Sequence, residues 1–188
     1  MTGLGPTGPR VAMLTYSTKP RGGVVHTLHV AESLHDLGHQ VHVFALGDPE
    51  AGFFRPLRAP HTILPGPGRD GSLEERVAAS MEMLVAGLSS RLRGRFDLIH
   101  AQDCIAARAA LIARERTGAA VTVLRTAHHV DDLTTPVLVD CQRRAITEPD
   151  RVLVVSRMWR DILARDFAVE TTVVPNGVDL ARFARPAS

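Results

Sequence analysis

The chain has 188 residues, 45% of them hydrophobic and 22% charged, a composition that excludes wholesale disorder and suffices for one buried core without staples. Its 22 Lys and Arg stand against 20 Asp and Glu, for a net charge of +2. That balance is too even to make nucleic acid or an anionic membrane the main partner. Two cysteines, Cys104 and Cys141, lack CxxC spacing and make no disulfide framework, which points to a reduced, cytoplasmic chain. No apolar run approaches a membrane span, and Met1 to Arg10 has no apolar leader core. Residues 1–9 read as a flexible tail, 10–174 as the folded domain and 175–188 as a linker.

The first element is Val11 to Tyr16, a short apolar run suited to a strand buried on both faces. A polar turn from Ser17 leads to Gly22-Gly23. Val24, Leu28, Ala31 and Leu34 then recur at helical spacing until Gly38, and Val41 to Leu46 resumes strand character. This is a β-α-β unit whose crossover is expected to be right-handed. Residues 47–71 are rich in Pro and Gly and read as an irregular loop, with a short strand at Thr62 to Leu64. Ser72 and Glu75 make a capping box for a helix running to Leu92, with Ala78, Met81 and Val85 expected on its buried side.

From there strand and helix alternate. Strands are expected at Phe96 to His100, Val121 to Leu124, Arg151 to Val155 and Thr171 to Val174. Helices are expected at Ile105 to Arg116, after Asp132 up to Glu148-Pro149 and at Ser156 to Asp166. Such alternation specifies an α/β fold, a Rossmann-like sandwich of three layers around a mainly parallel sheet of six or so strands.

Ligands of open α/β sheets bind beyond the carboxyl ends of the strands. Gly22 and Gly23 lie between a buried strand and a helix N-terminus, where free N–H groups favour an anion and absent Cβ atoms admit close approach. The sequence there is neither GxGxxG nor GxxxxGK[ST], so dinucleotide and P-loop fingerprints are missing. Of nine histidines, His26 and His29 could face one ion, but no third ligand is visible and a solvated role is the plainer account. His128-His129 follows a strand end directly, where an imidazole can hydrogen-bond a substrate hydroxyl. His100-Ala101-Gln102-Asp103 ends the preceding strand and turns polar groups towards the same crevice, with Asp103 also capping the next helix. Asp131 and Asp132 could be ligands to a sugar, but helix capping is the plainer account. Glu74 and Glu82 read as a charged outer stripe.

Taken in order, these segments resemble one family. Leu14 to Tyr16 leading into Pro20-Arg21-Gly22-Gly23, Leu37-Gly38-His39, Phe96 to Asp103, Thr126-Ala127-His128, Val154-Val155-Ser156 and Pro175-Asn176-Gly177-Val178-Asp179 are similar to the N-terminal half of retaining family-4 (group 1) glycosyltransferases of GT-B architecture. The resemblance implies an acceptor-side domain facing a C-terminal donor domain, with a nucleotide-sugar as substrate and no metal or other cofactor. It implies that His128 contacts the donor sugar near the reacting carbon. Gly22, Gly23, His129 and Asp103 then fall among the donor- and acceptor-binding positions. The family's paired-glutamate motif belongs to the C-terminal domain, so Glu74 and Glu82 do not take that role. The alternative is a non-catalytic Rossmann-like module for a nucleotide or small anion.

Overall fold

The computed structural model describes residues 8–68, 70–178 and 180. Most of the expected tail, and the linker beyond Val178 apart from Leu180, lie outside the described residues. In chain order the elements are β1 (Val11–Thr15), α1 (Gly22–Asp36), β2 (Val41–Gly47), β3 (His61–Pro65), α2 (Leu73–Leu92), β4 (Leu98–Ala101), α3 (Cys104–Thr117), β5 (Thr122–Ala127), α4 (Pro136–Thr147), β6 (Arg151–Val154), α5 (Arg157–Phe167) and β7 (Thr172–Val173). All seven strands pair in parallel, in the order β3-β2-β1-β4-β5-β6-β7. Six or so strands were expected from the sequence; the last of them, read at Thr171 to Val174, is the two-residue β7.

Alternation along β1 explains the layers. Val11 and Met13 face α1, packing with Ala31 and with Ala59 of the β2–β3 loop. Ala12 and Leu14 face the opposite way, into a larger core made with Leu84 and Leu88 of α2 and Ala107 and Ala110 of α3. Successive side chains of a strand point to opposite faces, so a run apolar at every position needs helices on both sides. A third cluster joins Ala127, Val152 and Val154 to Ile146 of α4 and Leu163 of α5. The β2–β3 loop is pinned by Glu32, which accepts from both terminal nitrogens of Arg55 (2.9 and 2.8 Å).

The capping box forms as read: Glu75 N–H donates to Ser72 Oγ, and Ser72 N–H to Glu75 Oε2. The buried stripe of α2 is rotated from the expected one. Ser80, Leu84, Val85, Leu88 and Leu92 are buried, whereas Ala78 is exposed and Met81 half-buried. Glu82 accepts from Arg116 of α3 (2.8 and 2.9 Å) on the outside, a paired surface charge. The expected start of α4 after Asp132 is also corrected. Thr135 is the residue before the helix and Pro136 its first, a position that proline's fixed φ and missing N–H suit. Asp131 and Asp132 therefore cap nothing.

Among the described residues, one non-glycine position has a positive φ. α3 ends on Gly118 in the left-handed region (φ 63°), but α5 ends on Ala168 in the same region (φ 54°). A Cβ there costs on the order of 1 kcal/mol relative to glycine. Ala168→Gly is therefore expected to stabilise the domain by roughly 0.5–1 kcal/mol, after the loss of unfolded-state order is subtracted. Urea denaturation checks it, and a destabilised variant would contradict the geometry.

Candidate functional site

The strand order reverses direction between β1 and β4. From β1 the chain proceeds to β2 and β3 on one side, and from β4 to β5, β6 and β7 on the other. Loops leaving the carboxyl ends of β1 and β4 consequently diverge and open a crevice. A cleft of about 730 Å³ occupies that place, within the range of small-molecule sites. Its polar side includes Tyr16, Gly23, His26, Gln102, Asp103 and His128, and Leu73, Val77, Leu133 and Leu138 make an apolar wall.

Gly22 and Gly23 are the first two residues of α1 rather than part of the turn before it. Arg21 occupies the cap position without a side-chain cap bond, and the first turn carries no acidic residue. The helix thus presents its positive end to the cleft with no side chain covering it. A Cβ on Gly22 would meet nothing within 4 Å, whereas one on Gly23 would stand 3.6 Å from His128 Cδ2 and 3.9 Å from the Gln102 carbonyl oxygen. A Cβ at Gly23 would thus sit in ordinary van der Waals contact with the imidazole, and Gly23 marks where the start of α1 meets His128.

Asp103 ties two loops together. Its Oδ2 accepts from Tyr16 N–H (2.9 Å) and its Oδ1 from Ala106 N–H (2.8 Å), capping α3. Burial pushes its pKa up, opposed by these two backbone bonds and by the charge of Arg125. The Asp103 carboxyl fixes the shape of the cleft floor. Arg21 stacks over the Tyr16 ring, its guanidinium carbon 5.4 Å from the centroid, and donates to the Tyr16 hydroxyl.

His128 stands one residue beyond β5, half-buried. Its Nε2 is 3.2 Å from Gln102 Oε1, and its ring packs edge-on to His26 at 4.7 Å and 74°. With Gln102 accepting through Oε1, the His128 proton sits on Nε2 and Nδ1 is left as an acceptor. Burial, then the charges of His26, His129 and Arg125, push its pKa down to about 4. At neutral pH it is an uncharged imidazole. His129 differs: its side chain is 64% exposed, and Nε2 lies 3.2 Å from Asp131 Oδ1. Both histidines line the cleft, but only His128 meets the glycine turn and Gln102.

His100 does not face the crevice as the sequence suggested. It lies within β4, 7% exposed, with Nε2 2.7 Å from Thr126 Oγ1. The parity of the strand, with Ile99 and Ala101 on the α3 side, turns it to the other face. The sequence reading missed Arg125, Gln142 and Asn176, all at the cleft. Gln142 of α4 holds the loop after His128, accepting from Asp131 N–H (2.8 Å) and donating to its carbonyl (2.9 Å). Among the described residues no three or more His, Cys, Asp or Glu side chains are grouped as a metal would need.

Residues 20–182 match Glycosyltransferase Family 4. The chain belongs to this family. No curated protein matches it. Among solved structures, this glycosyltransferase domain is similar to HepE of Anabaena, crystallised in complex with UDP and glucose (17% identity, TM-score 0.65, covering 93% of this chain and 46% of that one). It is also similar to sucrose-phosphate synthase from Thermosynechococcus elongatus (15%, 0.70, 93% and 49%). A third match is the lipopolysaccharide outer core galactosyltransferase WaaB in its apo form (17%, 0.64, 90% and 46%). At these identities the likeness is one of fold: the α/β Rossmann-like half of a GT-B glycosyltransferase. The family-4 chain spans about half the length of each.

Proposed function

We propose that this family-4 domain is the acceptor-side half of a retaining glycosyltransferase that moves a sugar from a nucleotide-activated donor to an acceptor. Residues 10–174 form the domain and 175–188 link it to a C-terminal domain that holds most of the donor. The observation that carries this reading is the neutral His128, held by Gln102 against Gly23 at an uncovered helix N-terminus. That arrangement offers a hydrogen-bond acceptor for a sugar hydroxyl, and a positive dipole end for a phosphate, in one cleft. The UDP-glucose complex of HepE adds support for a nucleotide-sugar donor here. His129 and Asp103 would border the sugar, at the rim and the floor. No described helix is long and apolar enough to cross a membrane, and we place the reaction in the cytoplasm. It proceeds without a metal ion, so a chelator leaves turnover unchanged.

The test is transfer from UDP-, GDP- and ADP-sugars by the full-length protein, with the anomeric configuration of the product read by NMR. An inverted product rejects retention, and a protein that transfers no sugar rejects the reading. The 188-residue chain alone is expected to transfer nothing and to bind these donors weakly, because half a cleft leaves most of the ligand in water. Micromolar binding by calorimetry would move the donor site onto this domain.

A further inference from the structure

Arg125 lies in β5, one strand position before Thr126, on the face covered by α3 and α4. It is 2% exposed and lines the cleft. Its only hydrogen bond among the described residues runs from Nη2 to Cys104 Sγ (3.3 Å), while Nε and Nη1 are buried without a partner. No carboxylate lies within ion-pair distance of it among the described residues. Burial pushes the Cys104 thiol pKa up, so that sulfur is neutral and supplies no counter-charge. Asp103 feels the charge of Arg125, but its oxygens accept from backbone N–H groups and make no direct ion pair with the guanidinium, and Asp131 faces His129 at the rim.

A guanidinium stays charged at any pH the fold survives. Buried without an anion in direct contact, it destabilises a domain. A second donor on the same floor is also unsatisfied: Gln102 is 3% exposed, and its Nε2 has no acceptor. Two buried donors without acceptors, one of them a permanent cation, call for a ligand rich in acceptors and negatively charged. The start of α3, at Cys104 and Ile105, adds a positive dipole end to that floor.

We infer that Arg125 anchors an oxyanion, phosphate or carboxylate, carried by the acceptor substrate. This rests on the acceptor-side reading above and narrows it to acceptors such as sugar phosphates or uronates. Arg125 binds and orients the acceptor, with Gln102 Nε2 as the second donor. The apolar wall from Leu73 to Leu138 then faces the neutral remainder of the molecule.

The test uses the 188-residue chain with inorganic phosphate and with acetate at constant ionic strength, the two arms separating the two anion types. At least one is expected to raise the thermal midpoint by about 5 °C or more when present at a hundred times its dissociation constant. The same anion should move the Arg125 Nε–H resonance in the proton–nitrogen spectrum, a readout that needs no variant. Arg125→Met should melt higher than the unaltered chain without anion, because a buried charge with no directly paired anion is gone, and should lose the anion response. Arg125→Lys keeps the charge and part of the response. Failure of both anions to move the Nε–H resonance overturns the inference. So does an undiminished response in Arg125→Met, or a ligand-free midpoint below that of the unaltered chain, which would mark a structural arginine.

In the full-length enzyme, transfer to hexose phosphates or hexuronates should exceed transfer to neutral hexoses. Arg125→Met should remove that preference, on the order of ten- to a hundredfold. A preference for neutral acceptors would overturn the assignment to the acceptor. If the full-length protein transfers no sugar at all, the acceptor-side reading fails by itself, while the anion response of the chain still decides whether Arg125 binds an oxyanion.

Discussion

His128→Ala is expected to lower kcat of the full-length enzyme on the order of ten- to a thousandfold, the usual worth of one positioned hydrogen-bonding group at a reacting centre. Retaining transfer builds positive charge at the anomeric carbon as the glycosidic bond breaks. A neutral imidazole with Nδ1 free can accept from a sugar hydroxyl, and it accelerates the reaction only to the extent that this bond strengthens in the transition state. Affinity for the nucleotide should hardly change, since the proposal puts the nucleotide on the other domain. Because the His128 pKa is pushed down to about 4, the neutral form persists through the usual assay range. Any loss of activity through its protonation falls near pH 4, with activity lost as pH falls. His129→Ala tests the register: with its side chain 64% exposed at the rim and Nε2 against Asp131, it should lower kcat far less than His128→Ala. Gln102→Ala should reduce kcat less than His128→Ala and leave the donor KM alone, since Gln102 orients the imidazole through Nε2. Normal turnover in His128→Ala beside a dead His129→Ala would show the roles reversed.

The residues that announced the fold did so through local rules that burial then obeyed. Val11 to Leu14 is apolar at every position, and each of the four is buried, two per face. Ser72 with Glu75 spelled a capping box, and the structure forms it. Where the reading failed, the deciding fact lay across the chain. The stripe of α2 is rotated because Leu84 and Leu88 meet α3 and the sheet, which periodicity alone does not orient. Ala168 takes a conformation that normally advertises itself with glycine. In the site, His128 was legible because it follows a strand end. His100 was misread because strand parity, set by Ile99 and Ala101 packing on α3, turns it away from the cleft. Arg125 carried a signal that went unused: an arginine inside the largely apolar run Val121 to Ala127 of a central strand is out of place unless something pairs with it.

Acid should destabilise the domain in a window set by its buried imidazoles, and His100 should account for the largest part. Its ring is sealed between β4 and β5, with Nε2 against Thr126 Oγ1. Burial first, then the charges of His26 and His128, push its pKa from 6.5 down to about 4. The unfolded chain takes up this proton near pH 6.5, while the native state resists it until about pH 4. Between those values the unfolded state holds more protons, so stability rises with pH there and is lost as pH falls. The ceiling for His100 alone is about 3 kcal/mol, a sizeable share of the roughly 5–15 kcal/mol that holds typical domains folded. His128 and His26, also lowered by burial, act with the same sign. Asp97 behaves differently: its bonds from Arg10 hold it at about 2, so its contribution disappears only below about pH 4, beneath the histidine window. His100→Gln keeps a polar group for Thr126 and removes the titration. Urea denaturation of both proteins between pH 7 and pH 4 should therefore give a steep decline for the unaltered domain. The variant's profile should be shallower by up to about 3 kcal/mol. Parallel profiles would mean that His100 is protonated in the folded state, and that the polar seam between β4 and β5 admits charge.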